Sequence, residues 1–405
     1  MESYLSPTIT TPRVVVAPRR ELIVSRLAVA ALFFMNGVLF ASWVSRIPAV
    51  QTARGLSHGQ LGLALLMIAF GALVGMPPAG WLSSRFGSRR VTQVSAAVFF
   101  LVLPLLAFKT SVIVFALILF LFGAAHGALD VAMNAQAVAV ELRYGRPIMS
   151  SFHALFSVGG LAGAAFGAVI ANAGIGLLTH FSAVSFLLTA PLALFGCLHL
   201  IDTGRTHSHV ARRAGFRWPP KALVALGAVA FCVMMGEGAM ADWSAVFLRR
   251  FAGTSDGVAA AGYAAFSIAM AAGRFSGDWL SSLFGPVTLV RAGGLLAAAG
   301  LGLVLIVVEP TAALIGFAAV GAGFATVVPQ VFSAAGSTAG ISPETGLATV
   351  TTIGYTGFLI GPPLIGFAAE IIGLRGALGI VIVMTGVMIV LAPSVRRSPL
   401  SFAGV

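Results

Sequence analysis

Apolar residues run through this chain in stretches of about twenty, broken by short polar or charged segments. That length carries a helix across a bilayer core roughly 30 Å thick. The stretches fall near residues 27–47, 59–80, 91–108, 111–134, 150–171, 178–200, 221–244, 258–280, 288–308, 311–334, 346–371 and 375–393. They lack the polar–apolar alternation over about ten residues that marks a membrane barrel strand, and a backbone in lipid must satisfy its own amides, so each is predicted helical. The pattern also repeats. Trp81-Leu82-Ser83-Ser84-Arg85-Phe86-Gly87 returns 198 residues later as Trp279-Leu280-Ser281-Ser282-Leu283-Phe284-Gly285, and the same shift carries Gly159, Leu161 and Gly163 onto Gly357, Leu359 and Gly361. Near the start of the halves the offset is 200, with Ala41-Ser42-Trp43 against Ala241-Asp242-Trp243. These features predict an all-α membrane protein of twelve transmembrane helices in two pseudo-symmetric six-helix bundles. Its expected parts are a tail at 1–25, a bundle at 26–200, a linker at 201–220, a second bundle at 221–393 and a tail at 394–405.

Composition agrees: 59% of the 405 residues are hydrophobic and 9% charged, against about 25% charged in a soluble domain. A net charge of +12 would suit a nucleic acid, but the basic residues segregate by side. Of the 24 Lys and Arg, Arg46, Arg54, Lys109, Arg249, Arg250 and Arg375 fall on one face of the membrane. The other 18 (24 − 6) share the face of the amino terminus. That bias marks the cytoplasm, so both termini are expected on the cytoplasmic side, with lipid and a small solute as partners, no nucleic acid, and a monomeric chain. The first apolar segment is too long for a signal peptide, and no processing is expected. Cys197 and Cys232 read as apolar filler, and His207 and His209 as part of a solvated basic linker. No nucleotide loop, metal-ligand spacing or serine-histidine-acid set is present, so neither enzyme nor cofactor is expected, and the energy source is expected to be a proton gradient.

Gly80 through Gly87, continued by Ser88-Arg89-Arg90, resembles the signature loop of the major facilitator superfamily. Gly80 and Gly87 would permit close helix approach and a tight turn, and Arg85, Arg89 and Arg90 would hold the loop at the cytoplasmic face. Ser84 stands where that family usually has Asp or Asn. Three more strings, His126 to Gln136, Met149 to Ser157 and Gly236 to Trp243, are similar to the bacterial YbjJ-like branch that includes the rhizopine-associated MosC proteins. The resemblance implies a solute carrier working by alternating access, and its MosC side suggests an inositol amine or another polyol.

Ionisable groups inside spans are costly, about 2.5 to 3.5 kcal/mol for an acid at the centre, and so are candidate sites. Glu237 reads either as a protonatable coupling group on a helix loosened by Gly236 and Gly238, or as a structural acid bonded to Asn36. His126, Asp130 and Asn134 recur every four residues and share a face. Asp130 would pair with Arg85 or Arg89, or relay protons with His126. Asn36, Gln330, Thr352 and Tyr355 are neutral solute candidates or interhelical glue. Asp242 would form an outer gate with Arg46 or Arg249, or be a solvated rim acid. Trp43 and Trp243 would close over a solute or anchor at the interface. Arg274 and Asp278 read as a local helix pair, as do Glu370 and Arg375. Gly159, Gly163 and Gly167, with Gly357, Gly361, Pro362, Pro363 and Gly366, are expected to pack closely against the opposite half. The spans show no lysine or arginine placed to hold an anion, which favours a neutral or cationic solute. Proton-coupled import of a sugar, polyol or amine-like solute is the first reading. Proton-driven export of an amphiphilic compound is the alternative, weakened because Ala164 rather than proline follows Gly163.

Overall fold

The computed structural model describes residues 19–56, 58–201, 219–252 and 256–396; His207, His209, most of the expected linker and the outer parts of both tails lie outside them. The first bundle holds α1 (Arg19–Arg54), α2 (His58–Phe86), α3 (Ser88–Leu105), α4 (Val112–Tyr144), α5 (Met149–Asn172) and a sixth crossing. This last is built from α6 (Leu177–Ser182), a π-helical turn (Ala183–Thr189) and α7 (Ala190–Leu198). The second holds α8 (Lys221–Phe251), α9 (Asp256–Phe284), α10 (Pro286–Ile306), α11 (Pro310–Phe324) with α12 (Val327–Gly336), and α13 (Pro343–Leu391). As one rod, the 49 residues of α13 would run about 74 Å. Gly373 breaks it at φ 73°, ψ 156°, a conformation open to glycine, and gives the last two crossings. Aliphatic side chains such as Ile371, Ile306 and Leu161 stand out from the surface at 84%, 76% and 72% exposure, too many for water and suited to lipid.

The repeat is visible atom by atom. Gly87 and Gly285 turn the chain at φ 86° and 75°, each N–H returning to a serine carbonyl, Ser83 at 2.9 Å and Ser281 at 3.0 Å. Ser84 and Ser282 each bond the carbonyl of the tryptophan three residues back, at 2.8 and 2.7 Å. Those tryptophans, Trp81 and Trp279, are exposed at equivalent places.

The glycine seams differ from expectation. Gly159 and Gly163 of α5 face Phe34 and Val38 of α1, and Gly357 and Gly361 of α13 face Phe231 and Met235 of α8. All four stitch helices within a half. Gly167 likewise meets Ser45 and His180 of its own half, and Gly366 meets Trp243; the side chain of Pro362 is outside the described residues. Backbone-to-backbone approach of neighbouring helices is what small residues permit, so the seams make each bundle one body. A Cβ at Gly163 would stand 2.9 Å from the Val38 Cα, while at Gly361 it meets first the Met235 Cγ, also at 2.9 Å. A backbone cannot yield but a methionine can. Gly163→Ala should therefore cost on the order of 2–3 kcal/mol and Gly361→Ala under about 1 kcal/mol, read as the fall in Tm of the purified carrier; equal falls would contradict this placement.

Candidate functional site

Elements from both halves converge on the end of the bundle where the chain passes from one half to the other. We call it the linker end. There α5 begins, and the first four N–H groups of a helix have no partner within it. Two carboxylates supply them. Glu141 Oε2 accepts from Ile148 and Met149 N–H, both at 2.9 Å. Asp278 of the opposite half accepts from Ser150 N–H at 2.7 Å on Oδ1 and from Ser151 N–H at 2.9 Å on Oδ2. The positive helix end adds to both interactions. Glu141 also accepts from the Ser333 hydroxyl on α12, again across the halves. The 198-residue shift turns Asp278 into Gly80 and Ser150 into Ala348. At that sister contact a Cβ on Gly80 would press on Ala348 and stand 2.9 Å from the Glu344 carbonyl, so α2 meets α13 by close packing instead of charge. Gly277 against Ser150 and Gly336 against Val138 complete the closure.

Deeper in, Glu237 is partly exposed between the buried neighbours Gly236 and Gly238, beside the seam where α9 meets α5 of the other half, called the cleft below. Its Oε1 lies 3.8 Å from Arg274 Nη2. The Arg274 Nη1 donates to Ser157 Oγ of α5 at 2.7 Å, and Ser157 Oγ donates to the His153 carbonyl at 3.2 Å. His153 is itself packed edge-on between Phe33 and Phe332, centroids 5.3 and 5.7 Å away, one from each half. Tyr355 joins Ala72, Met76, Val131 and Ala348, bridging α13 to α2 and α4 within electrostatic range of both Asp130 and Glu237. Thr352, one turn before it, bonds the Ala348 carbonyl at 2.6 Å.

Several expected pairings are replaced. The Asn36 Oδ1 is 3.0 Å from His126 Nδ1 and its amide points at Met133 Sδ at 3.7 Å, so Asn36 holds α4 and does not bond Glu237. His126 is ring-stacked on Phe40 and beside Phe99, and Asp130 takes its bond from Asn134 Nδ2 at 3.1 Å. Arg85 covers the Trp81 and Phe86 rings and Arg89 bonds the Leu198 carbonyl at the end of α7 at 3.3 Å, so neither reaches Asp130; Arg90 is exposed. Arg274 and Asp278 do not pair: backbone amides fill both Asp278 oxygens, and Arg274 turns to Glu237. An arginine does therefore reach the cleft, against the expectation drawn from the spans. The helix at Glu237 is unbroken, Gly236 and Gly238 making room for Phe324 and Phe358. Gln330 accepts from Ser281 at 3.1 Å within its half. Arg46 is buried and donates to the Ile175 carbonyl at 2.9 Å, whereas Asp242 is exposed, so no outer pair forms between them; the Arg249 side chain is outside the described residues. Trp43 is buried against Phe115, Phe122 and Phe181, neither anchor nor cover. Arg375 bonds the Ile306 carbonyl at 3.4 Å, with Glu370 exposed.

Sequence reasoning passed over Glu141, Ser157, His153 and Ser333. Glu141 lies seven residues past the expected end of its span, because α4 continues to Tyr144. Ser157 and His153 sat inside a string noted only for its resemblance.

The family model described as Major Facilitator Superfamily matches residues 27–344. The chain belongs to the major facilitator superfamily. Among relatives of this superfamily, an uncharacterized MFS-type transporter of Yersinia pestis is 38% identical over 365 residues, 90% of this chain and 94% of that one. Membrane protein MosC of Rhizobium meliloti is 39% identical over 378 residues, 93% and 90% of the two chains. Solved superfamily structures share the fold. FucP in the outward conformation has a TM-score of 0.74 at 19% identity, covering 94% of this chain and all of that one. The proton:xylose symporter XylE has 0.72 at 15%, covering 92% and 95%. This is a multi-pass membrane transporter of the superfamily, built as two six-helix bundles.

Proposed function

We propose that the chain imports a small polar solute, of sugar, polyol or amine-like size, together with protons across a bacterial inner membrane, its termini in the cytoplasm. The observation that carries this reading is Glu237. A carboxylate is set partly exposed between two buried glycines of α8, with the Arg274 guanidinium near it and none of the backbone bonds that fix Asp278 and Glu141. Such a group can exchange a proton as its surroundings change from wet to dry, while the two clamped acids serve closure. Support comes from the relatives in fold, since FucP is a fucose:proton symporter and XylE a proton:xylose symporter. Asp130 with Asn134, and Tyr355, line the same region from α4 and α13 and would bond the solute's hydroxyls. Glu141, Asp278 and Gly80 would close the cytoplasmic end while the opposite end loads, the chain working as a monomer.

The test is uptake in right-side-out vesicles under an imposed inward proton gradient, across labelled sugars, polyols and amines. At least one class should accumulate and carry protons in with it. Accumulation indifferent to the gradient would end the coupling assignment, and gradient-driven extrusion of amphiphilic dyes would establish export instead.

A further inference from the structure

We propose that the solute carries an anionic group, most simply a carboxylate, which takes the place of Glu237 beside Arg274 when Glu237 is protonated. This rests on the reading of Glu237 as the coupling acid and narrows the substrate class at the same site. Arg274 offers more than its neighbours use. Its Nη1 donates to Ser157, its Nε has no hydrogen-bond partner among the described residues, and its side chain is 11% exposed. The only ion pair described for it is Glu237, whose oxygen at 3.8 Å is beyond direct hydrogen-bond reach, and that oxygen too is unpartnered. The pair is thus an attraction across a gap, with donors left on one side and an acceptor on the other.

Protonating Glu237 in this arrangement leaves a guanidinium in the cleft without its counter-ion. Removing one member of a buried ion pair is strongly destabilising, because the other charge stays desolvated and alone. The other titratable groups near the pair do not supply a negative charge to Arg274. Tyr263 on its own helix and His153 on α5 are uncharged or basic and Tyr355 is a phenol; Asp278, one turn along α9, gives both oxygens to the Ser150 and Ser151 amides, and Asp130 is bonded by Asn134. An anionic solute restores neutrality, and a planar carboxylate matches the guanidinium fork. A neutral solute leaves the cation uncompensated, and an amine would set a second positive charge beside it. Proton and anion then bind with positive cooperativity: one proton from the medium adds to the Glu237 carboxylate, one solute carboxylate pairs with Arg274, and the loaded cleft has the charge of the empty one.

The experiment measures thermal stabilisation of the purified full chain by matched triplets that differ only in one group: gluconate, sorbitol and glucamine; glucuronate, glucose and glucosamine; benzoate, benzyl alcohol and benzylamine. At least one carboxylate member should stabilise the carrier, with apparent affinity about tenfold higher in mildly acidic than in mildly alkaline buffer. Arg274→Gln should abolish the response and Arg274→Lys, which keeps the charge, should retain part of it. Glu237→Gln should bind the same carboxylate with no dependence on pH. Stabilisation by amine or neutral members in preference to carboxylates, or by no carboxylate at all, overturns the proposal. Proteoliposomes separate it from the coupling reading. A neutral or amine member that carries protons inward sinks the anion and keeps the coupling, whereas carboxylate uptake without proton movement keeps the anion and sinks the coupling.

Discussion

Asp278→Ala is expected to open the linker end. The substitution removes two hydrogen bonds that the Ser150 and Ser151 amides donate to the Asp278 carboxylate, contacts worth about 1.5 to 3 kcal/mol each when a charge takes part. Water entering the opened gap returns some of that, so the closed state should lose on the order of 3 kcal/mol against the alternative, roughly a hundredfold in the ratio of the two. The exposed, pseudo-equivalent Trp81 and Trp279 are suitable labelling points. Spin labels at Trp81→Cys and Trp279→Cys, in a background without Cys197 and Cys232, should show a short distance in the parent chain and a long one gaining most of the population in the variant. Arg85→Gln is the control. Its guanidinium lies only over Trp81 and Phe86, and the distance distribution should not move. An Asp278→Ala carrier with the parent distribution would show that the clamp does not hold the gate.

The second large effect is expected at Glu237. With one proton carried per solute, a gradient of one pH unit sustains about tenfold accumulation. Glu237→Gln should reduce that to about unity while exchange of solute down its own gradient continues. The variant will also be less stable, because Arg274 loses its counter-ion while staying largely desolvated. Adding Arg274→Gln should recover most of the stability by removing the stranded charge, but not the accumulation. That contrast separates coupling from folding. A Glu237→Gln carrier that still concentrates its solute under a proton gradient would remove the residue from the coupling role.

The twelve crossings and the repeat were legible because both are long-range patterns of apolarity, and twenty apolar residues admit few alternatives in lipid. The signature turn was legible for a local reason: Gly87 and Gly285 must adopt a positive φ, and their serine and tryptophan neighbours repeat with them. Side-chain partnerships were not. Gly163 reads in sequence as a smooth face, and nothing in the string says that the face meets α1 of its own half. Arg274 and Asp278 are spaced for a helical pair, but Asp278 is drawn away by the two amides at the start of α5 that Glu141 does not take, a feature of another helix 128 residues away. Arg274 then takes the acid that remains. Glu237 is singled out in the sequence by the cost of an acid in a membrane, whereas its nearness to Arg274 is hidden by the helical spacing that pairs Arg274 with Asp278.

The Gly80 and Asp278 positions, identical by repeat and unlike in chemistry, give the closed end two unequal sides. Where α2 meets α13 the surfaces only touch, and they can part without stripping any charge of its partner. Where α9 meets the start of α5, a carboxylate must leave two amides behind. The closed end should thus swing like a door, giving way first at the smooth edge and last at the latch, which makes position 278 a natural place for relatives of this carrier to tune how long they stay shut.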